Sequence, residues 1–300
     1  MKTLKQYLES SGAGEELGHI LLDLTVVVKK IAASMDSVSD GKAGSENVFG
    51  EEQMALDLVS NDIATDEMRR NKHVGVVASE EMDEEEVVGD GPFGVCYDPL
   101  DGSSLIDVNL SVGSIFGVYK CESFIGVKGN EQLAALIAVY GPKTTIFVTV
   151  GEGTHEFMLR SDGEFVMSRE GLKVAEEGKM FAPGNLRACS KRKDYLELLD
   201  YWAENEYKLR YSGGMVPDVG QIMVKGKGVF TYPGYEDQPD GKLRVLYECA
   251  PMAFLMEQCG GAASYGAGRI LDVEIQKLDQ RSPIFIGSKK EVERVVKKLG

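Results

Sequence analysis

The stretch that most constrains this chain is a pair of short apolar runs, each closing on carboxylates. Val74-Gly75-Val76-Val77-Ala78 is followed by Glu80-Glu81, and Gly94-Val95-Cys96-Tyr97 runs into Asp98-Pro99-Leu100-Asp101-Gly102-Ser103-Ser104. Apolar runs of this length, bounded by polar and turn residues, read as short buried strands. A tight Pro/Gly turn over 98–102 would gather Asp98, the Leu100 carbonyl and Asp101 around one point. Those are hard oxygen ligands, suited to Mg²⁺ or Mn²⁺. Gly102, Ser103 and Ser104 then offer backbone N–H groups and hydroxyls to a phosphate oxygen. Glu80 and Glu81 join the same cluster, because two metals about 3.5–4 Å apart need several bridging carboxylates. Metal and phosphate side by side point to metal-assisted phosphoryl transfer or hydrolysis. The acidic run 83–86 reads as a solvated loop.

A net charge of −15 argues against non-specific binding to nucleic acid or to an anionic membrane, and no apolar run approaches the length of a span. It also means that a phosphate site must draw its positive charge from metals and a few local Lys or Arg. The 300 residues, 43% of them hydrophobic, allow one large domain or two closely packed lobes. Five scattered cysteines without a CxxC pair read as reduced, mostly buried thiols, and the histidines His19, His73 and His155 show no zinc spacing. The N-terminus carries no signal-peptide apolar region, so a cytoplasmic location is expected, or a plastid one had a transit peptide been removed.

Helical periodicity covers 17–35, with Leu17, Leu21, Leu24, Val28 and Ile31 on one face. Residues 40–49 are Gly/Ser/Asn-rich and read as a mobile loop, and 51–70 as a second helix. Strands are expected at 111–120, 133–140, 144–150 and 156–159, the last two joined by a turn at Gly151-Glu152-Gly153. The composition changes at 180–188, where a boundary divides an N-terminal lobe (1–180, metal and phosphate) from a C-terminal lobe (181–300, sugar and distal phosphate). Beyond it come a helix at 195–204, a strand-like 208–211, a Gly213-Gly214 turn, a strand at 229–232, a helix at 246–259 stopped by Gly260-Gly261, a strand at 283–287 and a helix at 290–299. This alternation argues for an α/β or layered α+β architecture. Gly12-Ala13-Gly14 follows no strand and is no dinucleotide fingerprint, and His155-Glu156 lacks the second His of a zinc protease.

The segment 95–104, with Ile106-Asp107, resembles the signature of class I fructose-1,6-bisphosphatases and their sedoheptulose-1,7-bisphosphatase relatives, and the match runs nearly end to end. The resemblance implies a layered α/β/α/β/α sandwich, two or more Mg²⁺ per subunit (Mn²⁺ as an alternative), and a homo-oligomer, a dimer or tetramer. Carried over by position, Glu80, Glu81, Asp98, the Leu100 carbonyl, Asp101 and Glu248 match metal ligands. Glu248 also reads as a carboxylate favoured by a helix N-terminus. Residues 47–51 resemble the catalytic loop, with Glu51 where the family usually carries Asp. Asp57 falls at a water-activating position, with Glu81 as its helper. Asn185, Arg210, Tyr211, Met215, Tyr232 and Lys242 match positions that hold the sugar and distal phosphate, Arg210 reaching into a neighbouring subunit's site. For Tyr211 and Tyr232 core packing is the lesser alternative.

Two family members compete. Leu186-Arg187-Ala188 after Asn185 resembles the sedoheptulose enzymes, and Arg187 offers charge farther out, as a seven-carbon substrate needs. The first expectation is therefore Mg²⁺-dependent hydrolysis of the 1-phosphate of sedoheptulose 1,7-bisphosphate to sedoheptulose 7-phosphate and phosphate. The segment 232–242 instead resembles the fructose enzymes, so fructose-1,6-bisphosphatase or dual activity is the alternative. Ala13, Pro92-Phe93 and Asn130 stand where AMP-inhibited members carry nucleotide ligands, which implies insensitivity to AMP.

Overall fold

In the computed structural model, residues 2–35, 42–46 and 52–300 are described. The chain opens with α1 (Leu4–Ser10) and α2 (Glu15–Ser34). Strands β1 (Lys42–Glu46) and β2 (Glu52–Met54) pair antiparallel, and α3 (Ala55–Arg70) follows. The expected loop at 40–49 is thus strand over 42–46, which pairs with 52–54 through Lys42 opposite Met54 and Glu46 opposite Glu52 with a register shift between them, a pairing that no side-chain pattern announces. The helix expected from residue 51 begins at Ala55. Next come β3 (Val74–Ser79), β4 (Glu86–Val87), β5 (Phe93–Asp101), β6 (Val112–Tyr119), β7 (Ala134–Tyr140), β8 (Thr145–Thr149), β9 (Thr154–Leu159) and β10 (Phe165–Arg169). After them lie β11 (Met180–Pro183), α4 (Lys193–Glu204), β12 (Lys208–Leu209), α5 (Met215–Lys225), β13 (Val229–Tyr232), α6 (Ala250–Gln258), β14 (Ala262–Ser264), β15 (Ile284–Gly287) and α7 (Lys289–Leu299).

Eight strands form one sheet in the order β10-β9-β8-β7-β6-β5-β3-β4, and five form a second in the order β12-β11-β13-β15-β14. Successive side chains of a strand point to opposite faces, and the core divides accordingly. Leu136 and Ala138 of β7 pack with α1, α2 and α3 on one face of the larger sheet, where Leu17, Leu21, Leu24, Val28 and Ile31 are buried. Ala135 and Ile137 face the other way, onto Val216 and Val219 of α5 and Met252 and Leu255 of α6. Those helices also cover Ala182, Phe230, Ile284 and Ile286 of the smaller sheet. Its far face, with Phe181, Val229 and Phe285, packs on Tyr195, Leu198 and Trp202 of α4 and Val292 and Val295 of α7. Five layers result: helices, sheet, helices, sheet, helices.

Strand direction locates the site. Within the larger sheet β3 and β5 are parallel, Ser79 beside Tyr97, while the other pairings are antiparallel. Within the smaller sheet β11 runs parallel to both β12 and β13. Ligand sites form at the carboxyl ends of parallel strands. Glu80 and Glu81 follow β3, Asp98 and Asp101 close β5, Asn185 follows β11 and Tyr232 ends β13.

Three expectations are corrected. The strand through Tyr97 does not stop at a turn: β5 continues to Asp101 with a register shift between Asp98 and Asp101, which accommodates Pro99. The left-handed turn comes at Gly102 (φ +78°). The run 83–86 is partly anchored, since Glu85 Oε2 accepts the Phe124 N–H (2.9 Å) and Glu86 pairs with Arg69 (2.8 Å). Finally, Gly213-Gly214 opens a helix, α5, rather than only turning the chain.

Candidate active site

The carboxyl ends of β3 and β5 face a cavity of about 320 Å³. Asp57, Glu80, Glu81, Asp98, Leu100, Asp101, Gly102, Ser103, Ser104, Tyr211, Met215, Tyr232, Lys242 and Glu248 all line it. Glu80, Asp98 and Glu248 form its acidic centre, where one oxygen from each lies within 4.8 Å of the others. The Glu80 N–H donates to the Tyr97 carbonyl (3.1 Å), which holds the head of the β3 loop against β5. Asp98 Oδ1 accepts the Leu100 N–H at 2.9 Å. Asp101 Oδ2 accepts the Val216 N–H at 2.8 Å, so the end of β5 is tied to the first turn of α5. Gly113 permits that approach: a Cβ there would lie 2.3 Å from Val216 Cγ1. Asp57, in the first turn of α3, accepts from the Ser103 hydroxyl (3.1 Å) and so fastens the Gly-Ser-Ser turn.

Glu248 reaches the cavity from a π-helical turn, Val245–Cys249, that leads into α6. Its Oε2 accepts the Arg244 N–H at 2.5 Å. Arg244 is 1% exposed and its guanidinium forms an ion pair with Glu80. Sequence reasoning missed this arginine. The signal was its position two residues after Lys242 and four before Glu248, in a chain otherwise short of local cations.

Burial and crowding set the electrostatics. Desolvation, reinforced by Glu80, Asp101 and Glu248, raises the Asp98 carboxyl well above the usual range. Desolvation with Glu80 raises Glu248 likewise, against the pull of Arg244. Asp101 is pushed to about 7 by burial, although the Val216 N–H opposes the shift. A cluster of oxygen donors whose charged forms are this disfavoured fits a small hard divalent cation, which supplies the missing charge. The residues present therefore fit Mg²⁺ or Mn²⁺.

A second cavity, of about 630 Å³, is lined by Ser104, Asn185, Arg187, Tyr211, Tyr232, Lys242 and Arg281. Ser104, Tyr211, Tyr232 and Lys242 line both cavities and join them. Asn185 adopts φ 52° and donates from Nδ2 to the Pro233 carbonyl (2.7 Å). Arg187 is exposed. Tyr211, 44% exposed, is no core residue, and Tyr232 is partly buried. Arg210 is exposed and lines neither cavity, and its N–H donates to the Phe181 carbonyl (2.9 Å). Glu51 and the loop 47–51 lie outside the described residues.

Comparison with known proteins bears on this arrangement. Residues 2–170 match the sequence model of the fructose-1,6-bisphosphatase N-terminal domain, and residues 174–299 that of its C-terminal domain. The chain belongs to the class I fructose-1,6-bisphosphatase family. It is 43% identical over 297 residues to the class 1 fructose-1,6-bisphosphatase of Citrifermentans bemidjiense, covering 97% of this chain and 89% of that one. It is 39% identical over 302 residues to the chloroplastic sedoheptulose-1,7-bisphosphatase of Spinacia oleracea, covering 99% of this chain and 78% of that one. A crystal structure from Toxoplasma gondii, named as a candidate sedoheptulose-1,7-bisphosphatase, superposes with a TM-score of 0.94 at 34% identity, over 100% of this chain and 98% of that one. The chain is accordingly a sugar bisphosphatase, a phosphoric monoester hydrolase of a metal-dependent family. Among the described residues no helix is long and apolar enough to cross a membrane.

Proposed function

We propose that this sugar bisphosphatase hydrolyses the 1-phosphate of fructose 1,6-bisphosphate and accepts sedoheptulose 1,7-bisphosphate as a second substrate. One observation carries the reading. The acidic cavity and the distal cavity share Ser104, Tyr211, Tyr232 and Lys242, so one molecule with phosphates at both ends can occupy them together. The curated fructose-1,6-bisphosphatases support the six-carbon sugar as the main substrate, ahead of the seven-carbon sugar expected from residues 186–188. Arg187 at the rim of the distal cavity supports the second.

Divalent cations, Mg²⁺ or Mn²⁺ and two or more per subunit, would be held by Glu80, Glu81, Asp98, the Leu100 carbonyl, Asp101 and Glu248, and would neutralise the charge of the phosphoryl oxygens. The backbone N–H groups and hydroxyls of 102–104 seat the 1-phosphate. Asp57, held by Ser103, and Glu81 take the proton from the water that attacks phosphorus in line, while the bond to the sugar oxygen breaks. Glu51 is assigned to the same machinery. Asn185, Arg187, Tyr211, Met215, Tyr232 and Lys242 hold the sugar and its distal phosphate. Arg suits that task through bidentate contacts. Arg210, at the exposed end of β12, is assigned to a neighbouring subunit's distal site in a homodimer or homotetramer. A cytoplasmic location and two lobes, 1–180 and 181–300, complete the proposal.

The test is phosphate release with Mg²⁺ from both sugars in parallel. A higher kcat/KM for the six-carbon sugar, with measurable turnover of the seven-carbon one, is expected. Turnover of inositol phosphates in preference to both would overturn the reading.

A further inference from the structure

His19 and His73 meet across the seam between α2 and the segment that enters β3. His19 Nδ1 and His73 Nε2 face each other at 3.4 Å. A zinc-type ion bound tetrahedrally at 2.0–2.1 Å to two imidazole nitrogens keeps those nitrogens about 3.3–3.4 Å apart. The two nitrogens share a ring-to-ring hydrogen bond at that distance, and a cation that displaced the shared proton would need little movement of either ring. Each outer ring nitrogen is turned toward a carboxylate. His19 Nε2 lies 3.9 Å from Glu15, and His73 Nδ1 lies 3.7 Å from Glu16. Both distances exceed a hydrogen bond and both glutamates are exposed, so the carboxylates add electrostatic attraction for a cation at the pair rather than a bond that fixes the rings.

The scaffold beneath the pair is hydrogen-bonded. The His73 N–H donates to Asn71 Oδ1 (2.9 Å), and Asn71 Nδ2 donates to Asp23 Oδ2 (2.7 Å). Asp23 follows His19 by four residues on α2 and shares its face. The His73 side chain is 14% exposed and that of His19 is 48% exposed, so one ring is anchored and the other can adjust. The remaining histidine differs in kind. His155 Nδ1 accepts the Gly171 N–H (3.1 Å) and its ring packs on Tyr7, which is a structural role.

We propose that His19 Nδ1 and His73 Nε2 form a two-histidine binding site for a transition cation of the zinc type, distinct from the carboxylate cluster and completed by water. Imidazole nitrogens select Zn²⁺, Ni²⁺ or Cu²⁺, whereas an all-oxygen cluster suits Mg²⁺ or Mn²⁺. The two sites therefore sort cations by softness. In the bound form both inner lone pairs go to the metal, and both ring protons sit on the outer nitrogens, facing Glu15 and Glu16. Occupancy ties α2 to the root of β3, the end opposite Glu80.

The experiment is a Zn²⁺ titration of the full chain labelled with 15N-histidine, in excess Mg²⁺, read by NMR of the imidazole nitrogens. The chain has three histidines and none lines the carboxylate cavity, so ring shifts at His19 and His73 report this site and not the acidic one. His19 Nδ1 and His73 Nε2 are expected to shift together at one equivalent of Zn²⁺, with His155 unmoved. His73→Gln should abolish the shift at His19 and weaken Zn²⁺ binding at least tenfold. His19→Gln, at a half-exposed ring, should do the same to His73 without disturbing the buried partner. Zn²⁺ uptake that leaves both nitrogens unshifted would overturn the proposal. So would a His19 shift that persists at unchanged affinity in His73→Gln, which would make it a lone surface ligand.

Discussion

The guanidinium of Arg244 is ion-paired with Glu80 inside the acidic cavity, and the Arg244 backbone N–H simultaneously holds Glu248. One residue thus gives Glu80 its counter-charge and Glu248 a hydrogen bond, while Lys242 lines the same cavity. Removing one partner of a buried pair costs about 3–5 kcal/mol, because the other charge is stranded. Arg244→Gln is expected to lower the melting temperature in EDTA by roughly 5–10 °C. Saturating Mg²⁺ should shrink that loss, since a cation replaces the missing charge and stabilises by mass action. Calorimetry with and without Mg²⁺ checks this, and an equal loss in both would mean that Arg244 matters only for packing.

Asp98→Asn should abolish turnover and stabilise the metal-free protein. Asn keeps an oxygen for the Leu100 N–H while deleting one of the crowded charges whose burial raises the pKa of Asp98. Activity and urea unfolding of the same preparation test both halves. Retention of more than about a tenth of kcat, a loss below about 1.4 kcal/mol, would remove Asp98 from the proposed ligands.

Asp101 and Asp218 should make stability depend on pH in an unusual direction. Burial moves them from 3.8 to about 7 and to about 6, the latter despite donation from the Ser212 N–H. A carboxyl raised on folding contributes stability that is full below its unfolded value and is lost as pH rises through its folded value. The metal-free protein should therefore lose stability between about pH 4 and pH 7. Asp218→Asn should flatten part of that slope, on the order of 3 kcal/mol. Mg²⁺ should flatten the part due to Asp101. Chemical denaturation across this pH range reads both, and a metal-free protein that gains stability from pH 4 to 7 would contradict the account.

Arg187→Leu should lower kcat/KM for sedoheptulose 1,7-bisphosphate several-fold more than for fructose 1,6-bisphosphate. Arg187 is exposed and lines the distal cavity alone, whereas Tyr211 and Tyr232 line the acidic one as well. A longer sugar carries its second phosphate toward it. Equal losses on the two sugars would assign Arg187 to general electrostatic attraction.

Much of the architecture was legible because it rests on side-chain periodicity. The α2 stripe from Leu17 to Ile31 and the strands over Val112–Tyr119 and Ala134–Tyr140 are core-facing patterns, and they fold as such. The acidic centre was legible because Glu80, Asp98 and Asp101 end apolar runs, and parallel β3 and β5 bring those ends side by side. What stayed hidden depended on pairing over long sequence distances. The strand at Lys42–Glu46 needs 52–54 to exist. The first turn of α5 is held by Asp101 across 115 residues, and the reading stopped at Gly213-Gly214. Arg244 stands close to Lys242 and Glu248 in sequence, but its role stayed hidden because its partner Glu80 lies 164 residues earlier. The Pro99 position was misread as a turn because the register shift that tolerates proline is a property of the pair β5 and β6.

The π-helical turn at Val245–Cys249 has a consequence for how this protein can change. Such a turn accommodates one residue more than an α-helix does over the same rise. Removing a single residue there would let the segment relax into regular helix, leaving the hydrophobic contacts of α6 nearly intact. Each residue of a regular helix turns the chain by about 100°. Glu248 would then swing out of the acidic cavity, while Arg244 would remain behind facing Glu80. A one-residue deletion here would therefore take Glu248 out of the proposed metal cluster while sparing the core, a change of length that no substitution at the same turn would mimic.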